Sequence, residues 1–297
     1  MKRLVLFKGI KSMVIQRLIL LFLCLLSSAC ATFKAQDLDY TALDIESKKR
    51  PLKYAVYTPP NWQKGEKLPL VLFLHGAGST HESFERYGAH EHLDKEINAG
   101  RIPRAIVLIP RGGLSMWENW DYGSIAYRDW IVDDLIPETV KNYTTLNCPE
   151  HCHVIGTSMG GFGALRLAQL EADKFSSIST ISGLIFSYEK SQRGSLLFQT
   201  LMYIPSNNIF GFRKNSNLID PYEIWVNESG EKKPRLQLIW GDKDQKGIIK
   251  TNQDLHERLL AAGVEHDAYV YSGKHKWVDW VPQLNRAMNF VIGDAGN

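Results

Sequence analysis

The sequence predicts an α/β protein: a mostly parallel, twisted sheet with helices on both faces. Three observations carry this. The apolar runs Leu68–Leu74 and Ala105–Pro110 read as strands buried on both faces, as parallel strands are, and Arg235–Trp240 reads as a further strand. Helix-length stretches separate several of these runs, the alternation that winds a parallel sheet. Between the apolar run His153–Ile155 and the helical stretch Ala164–Leu170 lies Gly156-Thr157-Ser158-Met159-Gly160. This is a strand, a sharp turn and a helix, with the serine pushed out at the carboxyl edge of the sheet.

The first thirty residues read as a targeting segment rather than as fold. Lys2, Arg3, Lys8, Lys11 and Arg17 precede the apolar run Leu18–Leu26, which is short for a membrane span; Met13 is an alternative start. The run ends Leu26-Ser27-Ser28-Ala29-Cys30, similar to a relaxed bacterial lipobox, so residues 1–30 are expected to be a lipoprotein-type signal with Cys30 lipidated. Cleavage after Ala31 and a retained anchor are the alternatives. The expectation is an exported bacterial protein, periplasmic or held at the outer membrane through an N-terminal lipid anchor. The chain is formally +3, but five positive charges lie in this segment, so the remainder carries −2. No basic patch is left to bind nucleic acid. Residues 31–297 suit one α/β domain.

Within that domain Leu52–Thr58 alternates and stops at Pro59-Pro60, an early antiparallel strand. The strand Leu68–Leu74 runs into His75-Gly76-Ala77-Gly78. His81–Asn98 reads as an irregular helix ended by Gly100. After Ala105–Pro110 comes a loop, 111–122, whose Trp117 and Trp120 either line a substrate pocket or pack beneath the loop. Tyr127–Tyr143 reads as a helix with a kink or break at Pro137. Cys148-Pro149-Glu150-His151-Cys152-His153 imitates a metal site but is too crowded to surround an ion easily. A Cys148–Cys152 disulfide is the expectation in an exported protein, and no metal is expected. Ile178–Gly183 is another strand, and about 184–234 lacks clean periodicity and reads as an excursion over the sheet edge. Helix Thr251–Ala262, strand His266–Tyr271 and helix Val281–Ile292 close the chain.

A serine at such a turn suggests nucleophilic catalysis, which needs a base and a carboxylate to orient the base. Ser158 is the candidate nucleophile. Its partners belong on loops after later strands, in the order acid then histidine. His256 lies within a helix and His266 opens a strand, whereas His275 follows a strand in a Gly-containing turn and is the candidate base. Asp244 and Asp242 compete as the acid; Asp244, further past the strand end, has more reach. The N–H groups of Ala77 and Met159 are the candidate oxyanion donors. His75 reads as structural.

These residues carry a family resemblance. His75-Gly76-Ala77-Gly78, Asp133-Asp134-Leu135-Ile136-Pro137, Gly156 to Leu165 with Ser158-Met159-Gly160-Gly161, Gly241-Asp242-Lys243-Asp244 and Gly273-Lys274-His275-Lys276-Trp277 resemble the putative-esterase family of α/β-hydrolases. That family includes S-formylglutathione hydrolases, enterochelin esterases, feruloyl esterases and mycolyltransferases. The resemblance implies an α/β-hydrolase fold, a Ser/Asp/His triad and hydrolysis of small-molecule or polymer-linked esters without metal or cofactor. Trp277 joins Trp117 and Trp120 as a candidate substrate contact. The resemblance leaves the substrate open. It also leaves room for an acyltransferase, or for a silent binding protein on the same scaffold. One departure is Glu171-Ala172-Asp173, where the family often has His-Pro before the Asp; it lies outside the site.

Overall fold

A computed structural model describes residues 38–43, 52–120, 126–143, 145–185, 221–226 and 233–293. The signal segment with Cys30, and most of the expected 184–234 excursion, lie outside the described residues. Eight strands form one sheet: β1 (Leu38–Leu43), β2 (Leu52–Tyr57), β3 (Leu70–Leu74), β4 (Ile106–Pro110), β5 (Cys152–Thr157), β6 (Ser177–Ile181), β7 (Arg235–Gly241) and β8 (Asp267–Tyr271). Their spatial order is β1-β2-β4-β3-β5-β6-β7-β8. The pairs β1·β2 and β2·β4 are antiparallel and the rest parallel, so the sheet is mostly parallel as the apolar runs predict. Strands β3, β4, β5 and β6 are buried at every position; β3 and β4 are apolar throughout, whereas β6 buries hydroxyls, Ser179 donating to Gln237 of β7 at 2.7 Å.

The order also says where a site can form. From β3 the chain winds outward to β4, then returns past β3 to β5 and winds the other way. Such a reversal leaves a crevice beyond the carboxyl ends of the two strands on either side of it. Here those are β3, which runs into His75, and β5, which runs into Ser158.

Helices cover the sheet. They are α1 (Ser83–Arg86), α2 (Ala89–Asn98), α3 (Tyr127–Asp129), α4 (Ile136–Tyr143), α5 (Met159–Leu170), α6 (Pro221–Val226), α7 (Lys246–Ala261), α8 (Trp277–Trp280) and α9 (Leu284–Gly293). The helix expected over 81–98 is two, because Gly88 takes φ 73°, a left-handed conformation that ends one helix and starts the next. The expected kink at Pro137 takes another form. A π-helical stretch, Trp130–Leu135, joins α3 to α4, widening the helix just before the residue that lacks an N–H. The closing helix is preceded by α8 and by a 3-10 turn, Val281–Gln283, that contains Pro282. Strand β1 has no counterpart in the sequence reading. Among the described residues no helix is long and apolar enough to cross a membrane.

Helix α5 is the centre of the fold. Met159 to Ala168 are all buried, including Arg166, which pairs with the buried Glu118 of the loop after β4. A buried guanidinium without a carboxylate would be heavily penalised, so this pair ties the loop to the helix.

Candidate active site

Ser158 sits between β5 and α5 with φ 54° and ψ −117°, a backbone conformation that costs a non-glycine residue about 1–3 kcal/mol. The surroundings hold it there. Its N–H donates to Ile181 O at 3.0 Å, and its carbonyl accepts from Gly161 N, Phe162 N and Leu184 N at 2.9, 3.3 and 2.8 Å. The glycines of the elbow are required by contact. A Cβ on Gly156 would enter the backbone of Gly160, and one on Gly160 would enter the Leu74 carbonyl of β3.

His275 lies in the turn after β8. Its Nε2 is 2.8 Å from Ser158 Oγ, and its Nδ1 is 2.8 Å from Asp244 Oδ1. The carboxylate makes Nδ1 the protonated nitrogen, leaving the Nε2 lone pair toward the serine hydroxyl. The Asp244 side chain is 0% exposed and that of His275 17%. Asp244 Oδ1 also accepts the Gln245 N–H at 2.6 Å. The geometry therefore separates the two candidate acids. Asp244 reaches the imidazole, whereas Asp242 Oδ1 accepts the Gly273 N–H at 3.0 Å and shapes the turn that carries His275. His256 and His266 lie against each other, Nδ1 to Nε2 at 2.8 Å, and have no part in this chain.

The turn after β3 approaches from the other side. A Cβ on Gly76 would lie 3.0 Å from Ser158 Cβ, so only glycine lets this turn pass over the nucleophile unhindered. His75 is fully buried and structural. Its Nδ1 donates to Gly76 O at 2.9 Å and its Nε2 accepts the Gly112 N–H at 3.1 Å. Burial pushes its pKa down to about 4, so the ring is neutral, as this donor–acceptor pattern requires. Among the described residues, neither the Ala77 N–H nor the Met159 N–H has a protein acceptor.

The three tryptophans part company. Trp117, a candidate substrate contact, is instead 1% exposed. Its ring packs on Gly112 and Gly163, where a Cβ would come within 2.5 and 2.6 Å of it, and its Nε1 donates to His75 O at 3.2 Å. It is a wedge beneath the loop, not a wall of the site. Trp120 is half-buried, donates to Ser115 O at 3.2 Å and packs against the core; it too is absent from the cleft wall. Trp277 does line the cleft, a cavity of about 430 Å³ that contains Ser158, His275 and Ala77. Tyr87 stacks on Trp277 at 5.2 Å, and Val278 and Trp280, the latter edge-on to the His275 ring at 4.8 Å, share the apolar wall. Sequence reading missed Tyr87, Val278 and Trp280. Tyr87 lies in the irregular stretch before Gly88, and Val278 is marked only by its distance from His275.

Cys148 and Cys152 are joined, with Cα atoms 5.0 Å apart. The neighbouring His153 turns inward to Ser177 Oγ at 2.8 Å, and burial pushes its pKa down to about 3. Among the described residues no group of three or more potential ligands is placed to hold a metal.

The sequence model of the family described as Putative esterase matches residues 45–291. The chain belongs to the putative-esterase family. This esterase is a serine ester hydrolase on an α/β-hydrolase scaffold. It is 21% identical over 258 residues to the MPT51 antigen of Mycobacterium leprae, covering 79% of this chain and 84% of that protein. It is 31% identical over 149 residues to the S-formylglutathione hydrolase of Paracoccus denitrificans, covering 44% of this chain and 52% of that one. Its fold superposes on a solved ferulic acid esterase with a TM-score of 0.71 at 20% identity, over 87% of this chain and 98% of the other.

Proposed function

We propose that this esterase cleaves carboxylic esters, small or polymer-linked, through a Ser158–His275–Asp244 triad and an acyl-enzyme. One observation carries the reading: the unbroken path Ser158 Oγ to His275 Nε2 and His275 Nδ1 to Asp244 Oδ1, 2.8 Å at each step. His275 takes the serine proton as Ser158 Oγ attacks the ester carbonyl. The Ala77 and Met159 N–H groups face the oxyanion, a pair worth about 3–4 kcal/mol for each donor. His275 then gives the proton to the departing alkoxide. Water deprotonated by the same nitrogen releases the acid, and the buried Asp244 stays ionised to hold the imidazolium. The strained backbone of Ser158 supports the same reading, since strain of this kind persists where the surroundings over-determine it.

The test is hydrolysis of p-nitrophenyl acetate, butyrate and octanoate by the wild type and by Ser158→Ala. The wild type should turn over at least one ester and the variant none, with an unchanged fold. Equal activity in the two would overturn the assignment. The chain-length profile sizes the acyl site.

A further inference from the structure

Two buried hydroxyls that this mechanism does not use meet beside the triad. Ser182 Oγ and Tyr271 OH are 2.9 Å apart. Ser182 belongs to the segment that grips the nucleophile, because Ile181 O accepts the Ser158 N–H and Leu184 N–H donates to the Ser158 carbonyl. Ser182 is itself held at φ 51°, in the left-handed region, with its N–H on Ile239 O at 2.7 Å. That conformation is uncommon for serine and places its side chain by the constraint of its neighbours.

Tyr271 is the last residue of β8. Its ring lies between two glycines: a Cβ on Gly241 would be 3.1 Å from its Cζ, and one on Gly273 would be 2.6 Å from its Cε2. Gly241 opens the turn that carries Asp244, and Gly273 opens the turn that carries His275. The ring thus spaces the two turns, while the hydroxyl reaches β6 across β7. Burial, with the nearby Asp244 carboxylate as a lesser cause, pushes the phenol up to about 12, so it is neutral near neutral pH.

The need for such a link follows from the sheet. Nucleophile and base lie in the turns that follow β5 and β8, two strands that β6 and β7 hold roughly 14 Å apart at about 4.8 Å per strand. A small change of twist across that distance would open a 2.8 Å contact.

We propose that the Tyr271–Ser182 pair is a positioning strut that keeps the nucleophile turn in register with the turns bearing Asp244 and His275. The proposal rests on the triad reading above, and neither residue touches the substrate.

Tyr271→Phe removes the hydroxyl and keeps the ring between the glycines. Ser182→Ala removes the partner. For each variant and the double variant, three quantities are measured: the rate of Ser158 labelling by a fluorophosphonate, kcat and KM on p-nitrophenyl butyrate per titrated active site, and Tm. Displacements of an ångström cost reactions of this kind up to about a hundredfold, so each single variant should lose about tenfold in labelling rate and kcat, with KM within about twofold. The double variant should lose no more than the worse single one, since both remove the same bond. A fall in Tm or in titratable sites with unchanged rates per site would overturn the strut, as would additive losses. A wild type that fails to label would overturn the triad reading itself and the strut with it, a result separable from labelling that the variants leave unchanged.

Discussion

Asparagine at position 244 probes the site at its most constrained point. The Asp244 side chain is fully buried, and its Oδ1 accepts from His275 Nδ1 at 2.8 Å and from Gln245 N at 2.6 Å. Asparagine is the same size, but one oxygen takes both bonds, and the other, Oδ2, is buried without a partner. With the amide oxygen at the Oδ1 position the NH₂ group is buried without an acceptor; with the amide turned, the nitrogen faces Gln245 N and His275, and only an unprotonated Nδ1 can accept from it. The ring proton moves to Nε2, where it points at Ser158 Oγ and blocks removal of the serine proton. The imidazolium formed during attack also loses its buried counter-charge, and no water can replace a partner that is 0% exposed. A tautomer error of this kind costs about 10³ to 10⁴ in kcat, or about 4–5.5 kcal/mol at 1.36 kcal/mol per decade. Asp242→Asn is the control. Asp242 Oδ1 only accepts the Gly273 N–H, which an amide oxygen does equally well, so this variant should stay within about threefold of wild type. The assay is the acylation burst with p-nitrophenyl butyrate, with Tm measured in parallel to exclude unfolding. Asp244→Asn retaining more than about a tenth of the wild-type burst rate would refute the reasoning. So would Asp242→Asn falling as far.

Two further outcomes follow from buried groups away from the reacting atoms. Trp117→Ala removes an indole that is 1% exposed and should cost about 3–5 kcal/mol in denaturant unfolding; full stability with only an altered ester preference would instead make Trp117 a substrate contact. His75 and His153 are held neutral by burial, with pKa values of about 4 and about 3 against 6.5 for an unconstrained imidazole. Between those values the unfolded chain binds the extra protons, so stability should fall as pH drops from about 6.5 to about 4. The loss is of order 3 kcal/mol for each histidine, and pH-dependent Tm with the Tyr-substituted or Gln-substituted histidines would read it. A flat profile over that range would contradict the neutral assignment.

Much of the fold was legible because its signals are local. Strands β3 and β4 are buried on both faces and apolar throughout, so they announce themselves, whereas β6 buries Ser177, Ser179 and Thr180 and β7 buries Gln237. The elbow must be Gly-x-Ser-x-Gly because Gly160 touches the Leu74 carbonyl and Gly156 touches Gly160. For the same reason His75-Gly76-Ala77-Gly78 could be read as the turn beside the nucleophile. Elimination among histidines by strand position led to His275. Strand β1 escaped although Leu38-Asp39-Tyr40-Thr41-Ala42 alternates, because so short a run does not by itself say that it pairs with β2 at the sheet edge. The division of the 81–98 stretch turned on the φ of one glycine, Gly88.

The sequence by itself determined the strand, turn and helix around Ser158, the family, and the pool from which the site is drawn. Within that pool it favoured Asp244 over Asp242 only by reach beyond the strand end, and it did not separate the tryptophans. Asp242 and Asp244 share a turn and a charge; the direction in which β7 ends, set by its pairing with β6 and β8, sends one to His275 and the other to the Gly273 backbone. Trp117 and Trp277 are equally aromatic. One is buried because Gly112 and Gly163, distant in the chain, leave a slot of its size; the other stands in the cleft because it follows His275 and stacks on Tyr87. The Tyr271–Ser182 contact joins residues separated by 89 positions. Such choices rest on which surfaces the folded sheet brings together, and no run of neighbouring residues encodes them.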